Sequence, residues 1–192
     1  MIRRLRGVRM PDVSHGVAPK NLALVGFMGC GKSSTGRMLA SLLQFKFVDT
    51  DDWIEKKAGK RISEIFATEG EPAFRKLESD VVRELEGLQR CVISTGGGLI
   101  VNPENLESLK KHAMVFCLWA SPETLYERVK NQNHRPLLND PDPARKIRTL
   151  LEARTPAYRN ADVLVSTERR SLREVAQHIA NHFRAVNRHH AS

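Results

Sequence analysis

Cysteine is scarce in this chain, with three among 192 residues, at positions 30, 91 and 117. An odd number without metal-ligand spacing argues against a disulfide scaffold or a zinc site and points to a reducing, cytoplasmic compartment. Cys91 and Cys117 lie inside apolar runs, where a buried thiol acts as a small hydrophobe. Long apolar stretches are missing too. The longest strongly apolar run, Ala113–Ala120, falls far short of the ~20 residues that a membrane-spanning helix needs; it reads as a buried strand. The Arg-rich opening, MIRRLRGVRMPDVSHG, is followed by no apolar core of a secretory signal. It reads as a flexible basic tail over residues 1–20, with Met10 as an alternative initiator. Internal repeats and interior linkers are also absent. Residues 21–186 therefore read as one domain and 187–192 as a short C-terminal tail.

Acidic residues are outnumbered, 22 against 31 basic, for a formal charge of +9. The surplus is unevenly spread: residues 1–20 carry +4 and 184–192 carry +2, which leaves +3 for everything between. So small an excess does not call for nucleic acid as a partner and suits a site for anionic small molecules. At 41% hydrophobic residues there is enough apolar material for one core. No heptad or broad apolar stripe is evident, so a monomer is expected.

What is present is alternation. Short apolar runs at Leu22–Gly26, Phe45–Val48, Cys91–Ser94, Met114–Trp119 and Val163–Ser166 predict strands. Helical patterns fall at Lys32–Leu43, Asp52–Lys57, Ile62–Phe66, Glu71–Leu88, Pro103–Lys110, from Ser121, at Ala144–Tyr158 and at Ser171–Val186. Asn131–Pro143, rich in Asn, Pro and Asp, reads as a loop. Strands alternating with helices imply an α/β fold whose parallel sheet is covered on both faces. Ligands in such folds sit at the carboxyl ends of the strands, and the polar clusters lie there or in loops.

The first of these clusters is Gly26-Phe27-Met28-Gly29-Cys30-Gly31-Lys32-Ser33, a complete G-x-x-x-x-G-K-[ST] phosphate loop between a strand and a helix. Its backbone N–H groups and the helix N-terminus suit phosphate oxygens, with Lys32 for the β/γ-phosphates and the Ser33 hydroxyl for Mg²⁺. Cys30 sits beside that helix N-terminus, where a redox role and a tolerated filler are both open readings. The second strand ends Asp49-Thr50-Asp51-Asp52. These acids suit a metal and a substrate hydroxyl, or simply the cap and first turn of the next helix. Further along come Phe74-Arg75-x-x-Glu78, Gly96-Gly97-Gly98, Arg135-Pro136-Leu137-Leu138 and Arg154-x-Pro156-x-Tyr158.

Taken in series, over residues 21–183, these motifs resemble the shikimate kinase family. The resemblance implies a P-loop NTPase-like three-layer fold, with a five-stranded parallel sheet, helices on both faces and a lid loop. It also implies transfer of the γ-phosphate of ATP to the 3-hydroxyl of shikimate, with Mg²⁺. Asp51, Lys32 and Arg135 would then be catalytic, Asp51 as the base facing the reactive hydroxyl. Arg75 and Arg154 would clamp the acceptor carboxylate, with Gly97 contacting the acceptor through its backbone. Ser33 and Asp49 would hold the metal. Gly29, Cys30, Gly31, Lys32, Ser33 and Ser34 would surround the phosphates, with Arg135 over them from the lid and Arg128 near adenine. Arg170 is a further adenine candidate, in a stretch that lacks the proline some members place there. The residue chemistry agrees: guanidinium forks suit a carboxylate, and in-line phosphoryl transfer needs positioning and spread positive charge. Each arginine also has a structural reading, Arg75 as a partner of Glu71 or Glu78 on one helix face and Arg154 as a charge near a helix C-terminus. The alternative enzyme is another small P-loop kinase, such as one acting on gluconate.

Overall fold

The protein is described from a computed structural model that covers residues 19–131 and 140–189. The basic tail over 1–18, residues 132–139 with Arg135 and the Arg-Pro-Leu-Leu run, and residues 190–192 lie outside the described residues.

Five strands, β1 (Asn21–Val25), β2 (Lys46–Asp49), β3 (Cys91–Ser94), β4 (Ala113–Trp119) and β5 (Val163–Ser166), form one parallel sheet in the order β2-β3-β1-β4-β5. The central strands are apolar because both faces are covered. Leu22, Leu24, Val92, Ile93, Val115 and Phe116 have no exposed surface. Full burial of one such side chain contributes ~1.5–3 kcal/mol. The edge strand β5 alternates instead, with Val163 and Val165 buried and Leu164 half exposed. Only one of its faces is covered.

Among the described residues eight α-helices connect and cover the strands: α1 (Lys32–Leu43), α2 (Thr50–Ala58), α3 (Ile62–Thr68), α4 (Gly70–Leu85), α5 (Pro103–His112), α6 (Pro122–Val129), α7 (Pro143–Tyr158) and α8 (Leu172–His189). Three of them start from one local device. Asn102, Ser121 and Asp142 each accept a backbone N–H of the first turn, and each is followed by a proline at the first helical position. Such a cap is worth ~1 kcal/mol, and the proline forfeits only an N–H with no intrahelical partner. Pro143 thus opens α7 rather than ending the preceding loop.

Other boundaries shift modestly. α4 ends at Leu85, short of the expected Leu88, and α8 runs on to His189. A short 3₁₀ turn, Leu99–Val101, follows the three glycines where the sequence pattern predicts nothing regular.

The order reverses about β1, whose neighbours β3 and β4 lead away to opposite edges. A crevice beyond the carboxyl ends of the strands is where such a sheet binds ligands. The phosphate loop leaves β1 there, Asp49 ends β2, and the glycine turn leaves β3.

Candidate active site

One open cleft of about 450 Å³ gathers these strand ends, with Lys32, Asp51, Arg75, Gly97, Arg128 and Arg154 in its walls. Gly31 caps α1 with φ of 92°, a left-handed conformation that a side chain would resist. It turns the chain so that the loop lies at the helix N-terminus. Lys32 is buried, and its ammonium donates to the carbonyls of Gly26 at 2.8 Å and Phe27 at 3.1 Å. Its Nζ therefore stands at the loop itself, with its third donor facing Cys30 Sγ at 3.9 Å.

Ser33, in the first turn of α1, donates from Oγ to Asp49 Oδ2 at 2.9 Å and lies 3.3 Å from Ser94 Oγ. The register explains the cluster, because Asp49 and Ser94 are paired positions at the ends of β2 and β3. Ser94 has no role in the sequence reading; the available signal was a lone hydroxyl at the carboxyl end of an apolar strand. Asp49 serves twice, since its other oxygen accepts the Asp51 N–H and caps α2. The cap reading of that acid is realised, and its second oxygen is held by Ser33. These are hard oxygen donors, one carboxylate and hydroxyls, beside a phosphate loop. That set suits Mg²⁺, which takes few protein ligands and keeps waters or phosphate oxygens. Among the described residues no group of three or more His, Cys, Asp and Glu could hold a metal without a substrate.

The glycine turn forms the opposite wall. The Gly96 N–H donates to Thr50 Oγ at 3.0 Å, which ties the turn to the start of α2. A Cβ on Gly96 would stand 2.8 Å from Asp51 Oδ1 and 2.9 Å from Glu78 Oε1, so glycine leaves room for two carboxylates side by side. Burial pushes the Glu78 carboxyl above its ordinary pKa; Arg75 pulls it back, Asp51 pushes it further and Arg154 opposes that. Arg75 pairs along its own helix with both acids: Nη1 donates to Glu78 Oε2 at 2.6 Å, and Nε and Nη2 donate to Glu71 Oε1 at 3.1 and 2.7 Å. Its guanidinium nonetheless reaches the turn, 2.7 Å from where a Gly98 Cβ would be. Arg154 enters from the last turns of α7, with Nη1 donating to the Gly97 carbonyl at 3.3 Å and its guanidinium 5.6 Å from the Phe27 ring centre. Tyr158, one turn on, donates to the same carbonyl at 2.6 Å. In the sequence Tyr158 is only a position in a pattern, whereas Glu78 is already a candidate partner of Arg75, a pairing the structure shows.

Arg128 stands on α6, where Nη1 donates to Thr167 Oγ at 2.9 Å and to the Gly29 carbonyl at 3.4 Å, and Nη2 to the Thr167 carbonyl at 2.9 Å. It thus links the phosphate loop to the segment after β5. Gly29, Gly31, Ser33, Ser34, Asp49 and Gly97 also line the cleft. Two predicted residues do not. Cys30 is buried behind the loop, its Sγ 3.9 Å from Lys32 Nζ, so any contact from it to a nucleotide is through backbone. Arg170 is exposed and outside the cleft.

The family model for shikimate kinase matches residues 28–184. The shikimate kinase of Thermodesulfovibrio yellowstonii is 42% identical over 168 residues, covering 88% of this chain and 97% of its own. That of Thermus thermophilus is 47% identical over 159 residues, covering 82% and 86%. Among solved structures, the shikimate kinase from Acinetobacter baumannii in complex with shikimate superposes with a TM-score of 0.82 at 39% identity, covering 87% of this chain and 94% of that one. A gluconokinase from Sinorhizobium meliloti, at 16% identity and a TM-score of 0.59, shares the fold alone.

Proposed function

Because the chain belongs to the shikimate kinase family, we infer that it transfers the γ-phosphate of ATP to the 3-hydroxyl of shikimate, giving shikimate 3-phosphate and ADP. The observation that carries this reading is the meeting, in one cleft, of a phosphate loop with a carboxylate and two arginines on its far wall.

Lys32 and the loop N–H groups hold the phosphates, with the ammonium exchanging a loop carbonyl for a phosphate oxygen. Ser33 and Asp49 hold Mg²⁺ when it is bound, which supplies charge neutralisation for the phosphates. Asp51 accepts the proton of the attacking hydroxyl from its place between the loop and the glycine turn. Arg75 and Arg154 bind the acceptor carboxylate, and the Gly97 backbone lies against the acceptor. Arg128 stands where the purine meets the phosphate loop. Arg135 remains the proposed phosphate cover. A monomer in the cytoplasm belongs to the same proposal, and the three free, buried thiols suit a reducing compartment. Among the described residues no helix is long and apolar enough to cross a membrane.

The test is ADP release with shikimate, with gluconate and with no acceptor. Release that needs shikimate is expected. Equal release with gluconate, or release indifferent to either acid, overturns the assignment.

A further inference from the structure

The Gly97 carbonyl carries two donors of unequal quality. The Tyr158 hydroxyl is 2.6 Å away, a close O–H···O contact, whereas Arg154 Nη1 at 3.3 Å lies beyond the usual N–H···O range. The two donors also differ in access. Tyr158 is 1% exposed and packed in the core, while Arg154 is half-buried and faces the cleft. They stand four residues apart on α7, so one helix face delivers both to one oxygen. Burial raises the phenol pKa above its ordinary value, although Arg154 beside it works the other way. The hydroxyl is therefore a donor at every working pH.

We propose that Tyr158 is a positioning residue for acceptor binding, which keeps the Gly97 carbonyl in place when Arg154 leaves that oxygen for the acceptor carboxylate. This rests on the reading of Arg154 as a ligand of that carboxylate. A carbonyl held by Arg154 alone would compete with the acceptor for the guanidinium, and its release would free the turn. With Tyr158 on the same oxygen, the weaker bond can be given up without losing the turn. Peptide planarity extends the effect, because fixing the Gly97 carbonyl also fixes the direction of the Gly98 N–H across the same bond. Gly96 and Gly98 abut Asp51, Glu78 and Arg75, so a displaced turn would disturb that wall of the site.

The test is a double-mutant cycle on Tyr158→Phe and Arg154→Ala, read as KM for shikimate, KM for ATP and kcat. Tyr158→Phe keeps the ring in the core and removes only the hydroxyl. It is expected to raise the shikimate KM by up to roughly tenfold, the upper end for one neutral hydrogen bond, with the ATP KM unchanged. In the Arg154→Ala background the same change should raise the shikimate KM by less than about twofold, because no arginine remains to be released. A purely structural tyrosine would lower the thermal midpoint and leave this split unmoved. If Arg154→Ala raises the shikimate KM but Tyr158→Phe does not, or acts equally in both backgrounds, the positioning role is overturned while the acceptor reading stands. If Arg154→Ala leaves the shikimate KM untouched, the acceptor reading itself fails.

Discussion

Arg75, a proposed ligand of the acceptor carboxylate, is already engaged. Its Nε and Nη2 sit on one oxygen of Glu71 and its Nη1 on Glu78, so an acceptor carboxylate shares the guanidinium with two acids that already take three of its five N–H donors. The two acids differ sharply in burial. Glu71 is exposed, and an exposed pair of this kind is worth ~0–1 kcal/mol; Glu78 is buried and is the harder partner to lose. Glu71 is therefore the one to yield. Glu71→Gln is expected to lower the shikimate KM by up to about fivefold, the ceiling set by so weak a pair. Arg75→Ala should raise it by the equivalent of roughly 2–5 kcal/mol, the cost of unpairing a buried charged contact. Arg154→Lys keeps the charge but loses the planar fork, and it should be impaired in the same direction. Steady-state kinetics with each substrate varied in turn decides the matter. A rise in the ATP KM with the shikimate KM unmoved would put both arginines on the nucleotide side.

At the scale of elements, the site is three strand exits and two helix ends held in register. Gly96 is the point where the turn meets the acids, because a Cβ there would stand below 3.0 Å from two carboxylate oxygens. Gly96→Ala should lower kcat by about a hundredfold, since a displacement near 1 Å at a reacting group can cost that much. Gly87→Ala is the control, with its nearest contact at 4.0 Å, and it should turn over like the parent. Normal turnover in Gly96→Ala would mean that the turn does not set the place of Asp51. The elements themselves were largely legible. Apolar runs marked all five strands, and the phosphate loop announced its strand–loop–helix setting. The strand exits were legible too, because polar residues after apolar runs mark where a parallel sheet meets solvent. What escaped was pairing across distance. Ser94 joins Ser33 and Asp49 only through the β2–β3 register, and Tyr158 reaches Gly97 across 61 residues. Local spacing carries no such information. The 3₁₀ turn at Leu99–Val101 was missed for a related reason: a Gly-rich exit fixes no period, and packing against α5 and α7 decides its shape.

For the whole molecule, the end of the sheet away from the cleft carries a pH-sensitive tie. Asn21 is fully buried at the start of β1, and its Oδ1 accepts the Cys91 N–H at 3.0 Å, which fixes the orientation of its amide. Nδ2 is then the donor, to the Leu88 carbonyl at 2.7 Å and to His112 Nδ1 at 3.1 Å. His112 must accept at Nδ1 and so carries its proton on Nε2. A second proton would land on Nδ1, set donor against donor and sever α5 from the strand entry. Burial depresses the His112 pKa, with Glu86 partly opposing it, and burial followed by His178 depresses that of His182 on α8. Their folded values lie below the ordinary 6.5, so the unfolded chain binds these protons first as pH falls. Their contribution is whole above pH 6.5 and is lost progressively as the pH drops through the folded values. Glu78 has the opposite sign. Its pKa is raised above 4.5, so its contribution is present below that pH and lost as pH rises through the folded value. At neutral pH the active site thus costs stability that the histidine end does not. The two histidines should therefore lower the thermal midpoint as pH falls from 7 towards 5, and Glu78 should oppose them. In His112→Gln, whose amide oxygen can still accept from Asn21, that slope should flatten while the midpoint at pH 7.5 changes little. An undiminished slope in this variant would assign the acid sensitivity to other groups, and a large loss at pH 7.5 would show that imidazole packing rather than its protonation holds the tie.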